Sequence, residues 1–253
     1  GKKDMMRSAL IILVLVVLDA GAQSASVGLF NEANDRYRGG DFEGARRAYL
    51  QVVDSGVEDA RLFYNLGNAN FKSGRLGEAI LWYERANHLS PRDEDIVANL
   101  RFAHQVKKDR DVPADGNAVS LFLTDAFFYP TLSELSLLLA LGWIGLFGLL
   151  GWRVWFHRTH APWLGALSVC ALLTVVGGGL LSFRVYHQAS EVSAIALAEV
   201  VTARSGPDVN QTEVFIMHEG TKVRVVRREG DWILVRLQNG LGGWVRVDQV
   251  EPI

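Results

Sequence analysis

Two long uncharged apolar runs in the middle of the chain constrain its fold more than any other feature. No charge falls between Leu135 and Trp152, and none between Ala161 and Phe183. Each run approaches the ~20 apolar residues that cover the hydrocarbon core of a bilayer. Inside lipid every backbone N–H and C=O needs a partner within its own segment, so both runs are expected to be helices. The link between them, Arg153-Val-Trp-Phe-His-Arg-Thr-His160, is short and holds Arg153 and Arg158 without an acid. Short Arg-rich links stay on the cytoplasmic side. The pattern predicts a two-helix transmembrane hairpin over residues 132–183, with both flanks outside the cytoplasm. His157 and His160 read as part of that loop, because no Cys, Asp or Glu completes a metal site.

Small residues suggest how the two helices pack. Ala166, Cys170, Thr174, Gly178 and Ser182 recur every four residues in the second run, and Gly142, Gly145, Gly148 and Gly151 every three in the first. Small side chains let helix backbones approach closely. The plainer alternative is that glycine is simply common in membrane helices. Neither run holds the acids, bases or histidines that mark ion or proton pathways. The pair reads as an anchor, not a channel.

The 253 residues leave room for one or two further domains. A net charge of −2 gives no electrostatic case for a nucleic-acid partner. Cys170 is the single cysteine, so no intramolecular disulfide can form. At the start, Lys2, Lys3 and Arg7 precede the apolar run Ala9 to Leu18 and then Ala20-Gly-Ala22. Basic region, short apolar core and A-x-A site read as a secretory signal peptide over residues 1–22. No nucleophile motif, phosphate loop or metal constellation is present, so the reading is of a non-enzyme without cofactor.

Residues 26–110 repeat themselves. Gly40-Asp-Phe-Glu-Gly-Ala45 aligns with Gly74-Arg-Leu-Gly-Glu-Ala79, and Tyr49 aligns with Tyr83 at the same offset. The second copy adds Phe63, Leu66-Gly67, Phe71, Trp82, Ala86 and Pro91. Pattern and spacing resemble the tetratricopeptide repeat, a helix–turn–helix unit of about 34 residues. The first copy is weaker, with Glu32 and Ala33 where Leu and Gly are usual, and Glu94 opens a third, incomplete copy that reads as a capping helix. The resemblance implies a peptide-binding groove lined by Phe30, Asn34, Tyr37, Tyr64, Asn65, Asn68, Phe71 and Lys72. Packing between repeats is the competing role for the aromatic residues among them. Asn34 and Asn65 match two positions of the carboxylate-clamp subgroup. Phe30, Asp95 and Asn99 replace its basic residues, which argues against a clamp of that kind.

Residues 111–131 form a connector. Asp111 to Asn117 has loop composition, and Leu121, Phe122, Leu123, Phe127, Phe128 and Tyr129 suit either an interfacial helix or a linker packed on the repeats. Thr131 and Glu134 have capping-box spacing at the start of the first apolar run.

After residue 194 the apolar period becomes two. Short alternating segments are separated by Arg204-Ser-Gly-Pro207, His218-Glu-Gly220, Arg228-Glu-Gly-Asp231 and Gln238-Asn-Gly240, which predicts a small β-barrel. Ala203-Arg-Ser-Gly-Pro207, Glu219-Gly-Thr221, Gly230-Asp-Trp232 and Gly243-Trp-Val245 resemble the bacterial SH3 domain, whose members bind peptides or cell wall. Trp232 reads as core, while Trp244 suits either the core or a ligand surface.

The order of parts, a signal peptide, tetratricopeptide repeats, a membrane hairpin and a bacterial SH3-like domain, resembles the BatE-type family of aerotolerance-associated proteins. Asp95-Ile-Val-Ala-Asn-Leu100 and Phe215-Ile-Met-His-Glu-Gly-Thr-Lys-Val223 add to the likeness. It implies a scaffold in the bacterial inner membrane, with both soluble domains in the periplasm. Its partners would be other Bat-type proteins: von Willebrand-type membrane proteins and a MoxR-type ATPase. Peptidoglycan is the alternative partner, through the SH3-like domain.

Overall fold

A computed structural model describes residues 26–110, 129–156, 161–190 and 192–253. The signal peptide, most of the connector and the histidine-bearing link lie outside the described residues. The chain divides into two units: the repeat segment together with residues 193–253, and the segment 113–192.

The first unit opens with helices α1 (26–38), α2 (Phe42–Asp54), α3 (Ala60–Lys72), α4 (Leu76–Leu89) and α5 (Glu94–Val106). Aspartates start three of them: Asp41, Asp59 and Asp93 accept backbone N–H groups of the first turns of α2, α3 and α5. Gly74 follows the end of α3 with φ of 78°, a left-handed turn that glycine adopts without strain. Helices α3 and α4 pack tightly because Gly67 lies under Tyr83, where a Cβ would come within 2.6 Å of the ring. Their counterparts one repeat earlier, Ala33 and Tyr49, are both buried as well. Tyr49, Leu62, Phe63, Leu66, Trp82 and Ile96 form the apolar core between repeats.

Seven antiparallel strands follow: β1 (Ser193–Ala196), β2 (Val200–Arg204), β3 (Glu213–His218), β4 (Lys222–Glu229), β5 (Trp232–Arg236), β6 (Gly242–Arg246) and β7 (Val250–Pro252). They pair in the order β3-β2-β6-β5-β4-β1-β7. Alternate residues, among them Val201, Ala203, Val223, Ile233, Val235 and Val245, point into one apolar core.

The sheet is built onto the end of the helical array. Ile195 of β1 is fully buried with Ala79, Ile80 and Tyr83 of α4 and Leu100 and Ala103 of α5. Helix α4 has no side-chain cap from Arg75; instead the Glu219 carboxylate accepts the Gly77 N–H at 3.0 Å. Around this contact Asp109 accepts from the His218 backbone N–H and the Thr221 hydroxyl, each at 2.7 Å, and meets His218 Nδ1 at 2.8 Å. Buried Glu84 accepts from Lys222 at 3.1 Å, and Arg85 donates to Glu251 and to the Pro252 carbonyl. Two glycines permit the approach. A Cβ on Gly77 would lie 2.9 Å from the Ala196 carbonyl oxygen, and one on Gly220, whose φ is 79°, would lie 2.5 Å from Ile80 Cδ1.

The second unit is an antiparallel pair, α6 (Leu132–Phe156) and α7 (Ala161–Ser190). Both are long and apolar enough to cross a membrane. Thr131 and Glu134 form a reciprocal capping box at the start of α6, with N–H to side-chain distances of 2.8 and 3.2 Å. A Cβ on Gly142 would lie 2.8 Å from Thr174 Oγ1, and one on Gly145 would lie 3.0 Å from Cys170 Sγ. Gly178 lies against Leu139. Gly148 and Gly151 face open space, and Ala166 is exposed.

Candidate functional site

The side chains implied as groove residues come together on one face of the repeat array, and the repeat offset orders them. Tyr49 donates its hydroxyl to Asn34 Oδ1 at 2.6 Å, and Tyr83 donates to Asn68 Oδ1 at 2.6 Å. The next helix repeats the pattern: Asn65 donates to Asn34 Oδ1 at 3.2 Å, and Asn99 donates to Asn68 Oδ1 at 2.8 Å. Asn34, Tyr49 and Asn65 therefore make one rung, and Asn68, Tyr83 and Asn99 the next. The Asn34 and Asn68 oxygens each accept twice, which fixes the orientation of those two amides. Asn99 also donates to the Tyr64 hydroxyl at 3.0 Å, tying the rungs to the aromatic lining.

Burial holds both rung tyrosines in the neutral, donating form. It pushes Tyr49 up to about 12, with neighbouring Tyr37 adding to the shift. Tyr83 is raised further, by burial first and then by Tyr64 and Tyr37. Tyr37 is itself raised by burial.

Two adjoining hollows open on this ladder. The smaller, of about 130 Å³, is lined by Asn34, Tyr37, Arg38, Tyr49, Asn65 and Asn68. The larger, of about 340 Å³, is lined by residues that include Tyr64, Asn68, Phe71, Lys72, Asn99 and Phe102. Tyr37 and Asn68 border both. The same offset relates Arg38 to Lys72 and Tyr37 to Phe71, so each repeat brings one cation and one aromatic ring to the groove. Arg38 pairs with Asp35. Lys72 is exposed and makes no ion pair among the described residues.

Of the eight sequence candidates, Phe30 is the one that lines neither hollow. It packs in the core, its ring 5.8 Å from that of Tyr49. Phe71 serves both roles, its ring tilted against that of Phe102 at 5.7 Å while it lines the larger hollow. Arg38, Tyr49, Tyr83, Asn99 and Phe102 join the site without having been singled out for it. The signal for most of them was the repeat offset applied to polar as well as apolar positions.

Trp244 lies at the centre of the sheet's outer side, opposite Leu234 and Arg204 in register. It is 5% exposed, because the Arg227 guanidinium covers its ring at 5.0 Å from the centroid. An open aromatic platform is therefore absent there. Trp232 is the more exposed of the two tryptophans, the reverse of the order read from the sequence.

Comparison with known families places these parts. Residues 30–94 match the tetratricopeptide repeat, and residues 199–251 match the bacterial SH3 domain. No curated protein matches the chain. The chain thus carries an N-terminal helical repeat array, two apolar helices and a C-terminal SH3-like sheet, a combination suited to binding proteins or cell-wall polymers.

Proposed function

We propose that the chain is a non-enzymatic adaptor anchored in the bacterial inner membrane by the α6–α7 hairpin. Its repeat array and SH3-like domain face the periplasm and assemble an envelope complex of the Bat aerotolerance type. The partners in that reading are von Willebrand-type membrane proteins and a MoxR-type ATPase. The groove is the observation that carries it. Repeated amide rungs offer hydrogen bonds to an extended backbone, rings offer apolar contact, and Lys72 offers a charge. Clasped to the repeats, the SH3-like domain holds any second binding surface in fixed relation to that groove. The test is photocrosslinking from position Phe71 in intact membranes, comparing the unmodified groove with Asn65→Ala and Asn99→Ala. Specific adducts lost in both variants support the groove; adducts that persist unchanged refute it.

A second reading, that the SH3-like domain grips peptidoglycan, draws on the bacterial SH3 match over residues 199–251. Retention of the full chain on purified sacculi, unaffected by the groove variants, would favour it.

A further inference from the structure

The groove changes character along its length. Asn34, Asn68 and Phe102 occupy one repeat position on α1, α3 and α5, and Arg38, Lys72 and Val106 occupy another. Both columns are polar on α1 and α3 and apolar on α5. Phe102 and Val106 are 53% and 49% exposed and stand four residues apart, on one face of their helix. Phe102 borders the larger hollow, with its ring against Phe71. One end of the groove is thus an open apolar wall, and the other carries amides and cations.

Hydrogen bonds within the ladder decide what its amides still offer. Asn34 and Asn68 spend their oxygens inside the rungs, which leaves their N–H groups as donors. Asn65 and Asn99 spend N–H groups, which leaves their oxygens as acceptors. Each rung therefore presents a donor and an acceptor, the complement of an extended backbone with its own C=O and N–H. Among the described residues no acid lines either hollow. Arg38 is matched by Asp35 in an exposed pair, while Lys72 makes no ion pair among the described residues, so the charge left over is positive. Lys72 lies on α3, with the smaller hollow toward α1 on one side and Phe102 of α5 on the other. A chain held at Lys72 can run on in both directions.

Resting on the reading of this groove as the partner site, we propose that it takes an internal, extended segment of a partner protein in which an acidic side chain lies within a few residues of a bulky apolar one. The carboxylate meets Lys72, and the apolar side chain enters the larger hollow against Phe71 and Phe102. The backbone between them pairs with the Asn68 and Asn99 amides.

The test uses the full chain in nanodiscs and a fluorescein-labelled Gly-Ser peptide, blocked at both ends, with aspartates on each side of a central Leu-Phe pair. Fluorescence anisotropy compares it with one version whose aspartates are asparagines and another whose central pair is alanine. Lys72→Gln is expected to weaken the parent peptide about threefold and to leave the asparagine version unchanged. Phe102→Asn, which puts back the residue that α1 and α3 carry at this position, should weaken the parent about tenfold and leave the alanine version unchanged. Both side chains are exposed, so neither substitution disturbs the core. Equal binding of the parent and asparagine peptides overturns the proposal, as does indifference of the parent to either substitution. Tighter binding once the carboxyl-terminal block is removed also overturns it, since the ligand would then be a chain end. Groove-dependent photocrosslinks from position Phe71 without these peptide effects sink the ligand chemistry alone. Loss of both the crosslinks and the peptide binding sinks the groove itself.

Discussion

Gly77 and Tyr83 show what single positions do in the two halves of this unit. In the first repeat the position of Gly77 is filled by Glu43, which reaches out to Arg46 and Arg75. In the second repeat a side chain would meet the β1 backbone. Gly77→Ala is expected to destabilise the protein by about 1–3 kcal/mol, because the obstructing Ala196 carbonyl is backbone and cannot swing away. Thermal denaturation beside a Glu43→Ala control, expected to change little, checks it. Tyr83→Phe should cost about 1 kcal/mol by leaving Asn68 Oδ1 with a single donor, and should loosen Asn99. Calorimetry gives the first effect, and faster amide-proton exchange of the Asn99 side chain the second. Asn34, Asn65 and Asn68 were legible as groove residues, since repeat register fixes which helix face they occupy. Tyr49 and Tyr83 were legible as repeat markers only, because nothing local tells that a buried hydroxyl reaches across to the preceding helix.

At the scale of elements, the helices, strands and most turns follow from local pattern. The recurring repeat offset gives α1 to α4, and the alternation after residue 194 gives the strands. The joint between them has no such period. Glu219 looks like an ordinary turn residue, yet it caps a helix 142 positions away. Ile195 looks like any inward strand residue, yet it belongs to the helical core. Glu219→Ala is expected to cost about 1 kcal/mol and to speed hydrogen exchange in the first turn of α4. The clasp also sets an acid limit. Burial raises the Asp109 carboxyl, but the Thr221 hydroxyl and the His218 backbone and ring outweigh it and hold it below its ordinary value. Glu84 behaves likewise: burial raises it, and His104 and Lys222 bring it lower. A carboxyl lowered in the folded state adds stability above its unfolded value, and that stability drains away as pH falls through the folded one. Melting temperature should therefore stay level from neutral pH down to the ordinary carboxylate range and drop below it. Asp109→Asn should be less stable at neutral pH and show a shallower drop.

For the whole molecule, the consequence of the clasp is topological. The repeat array and the SH3-like domain share a core and a set of polar contacts, so they occupy one compartment, although two apolar helices separate them in sequence. Crossing a membrane twice in that interval satisfies the requirement; crossing it once does not. Two apolar runs joined by a short link carry the same expectation in the sequence, that both flanks lie on one side. The most direct measurement labels cysteines with a membrane-impermeant thiol reagent in intact cells, in a Cys170→Ser background. One cysteine replaces exposed Gln51 in α2, and the other replaces exposed Asn239 in the β5–β6 turn. Both are expected to react from the outer side without permeabilisation. Reaction of one before and the other only after permeabilisation would contradict the account.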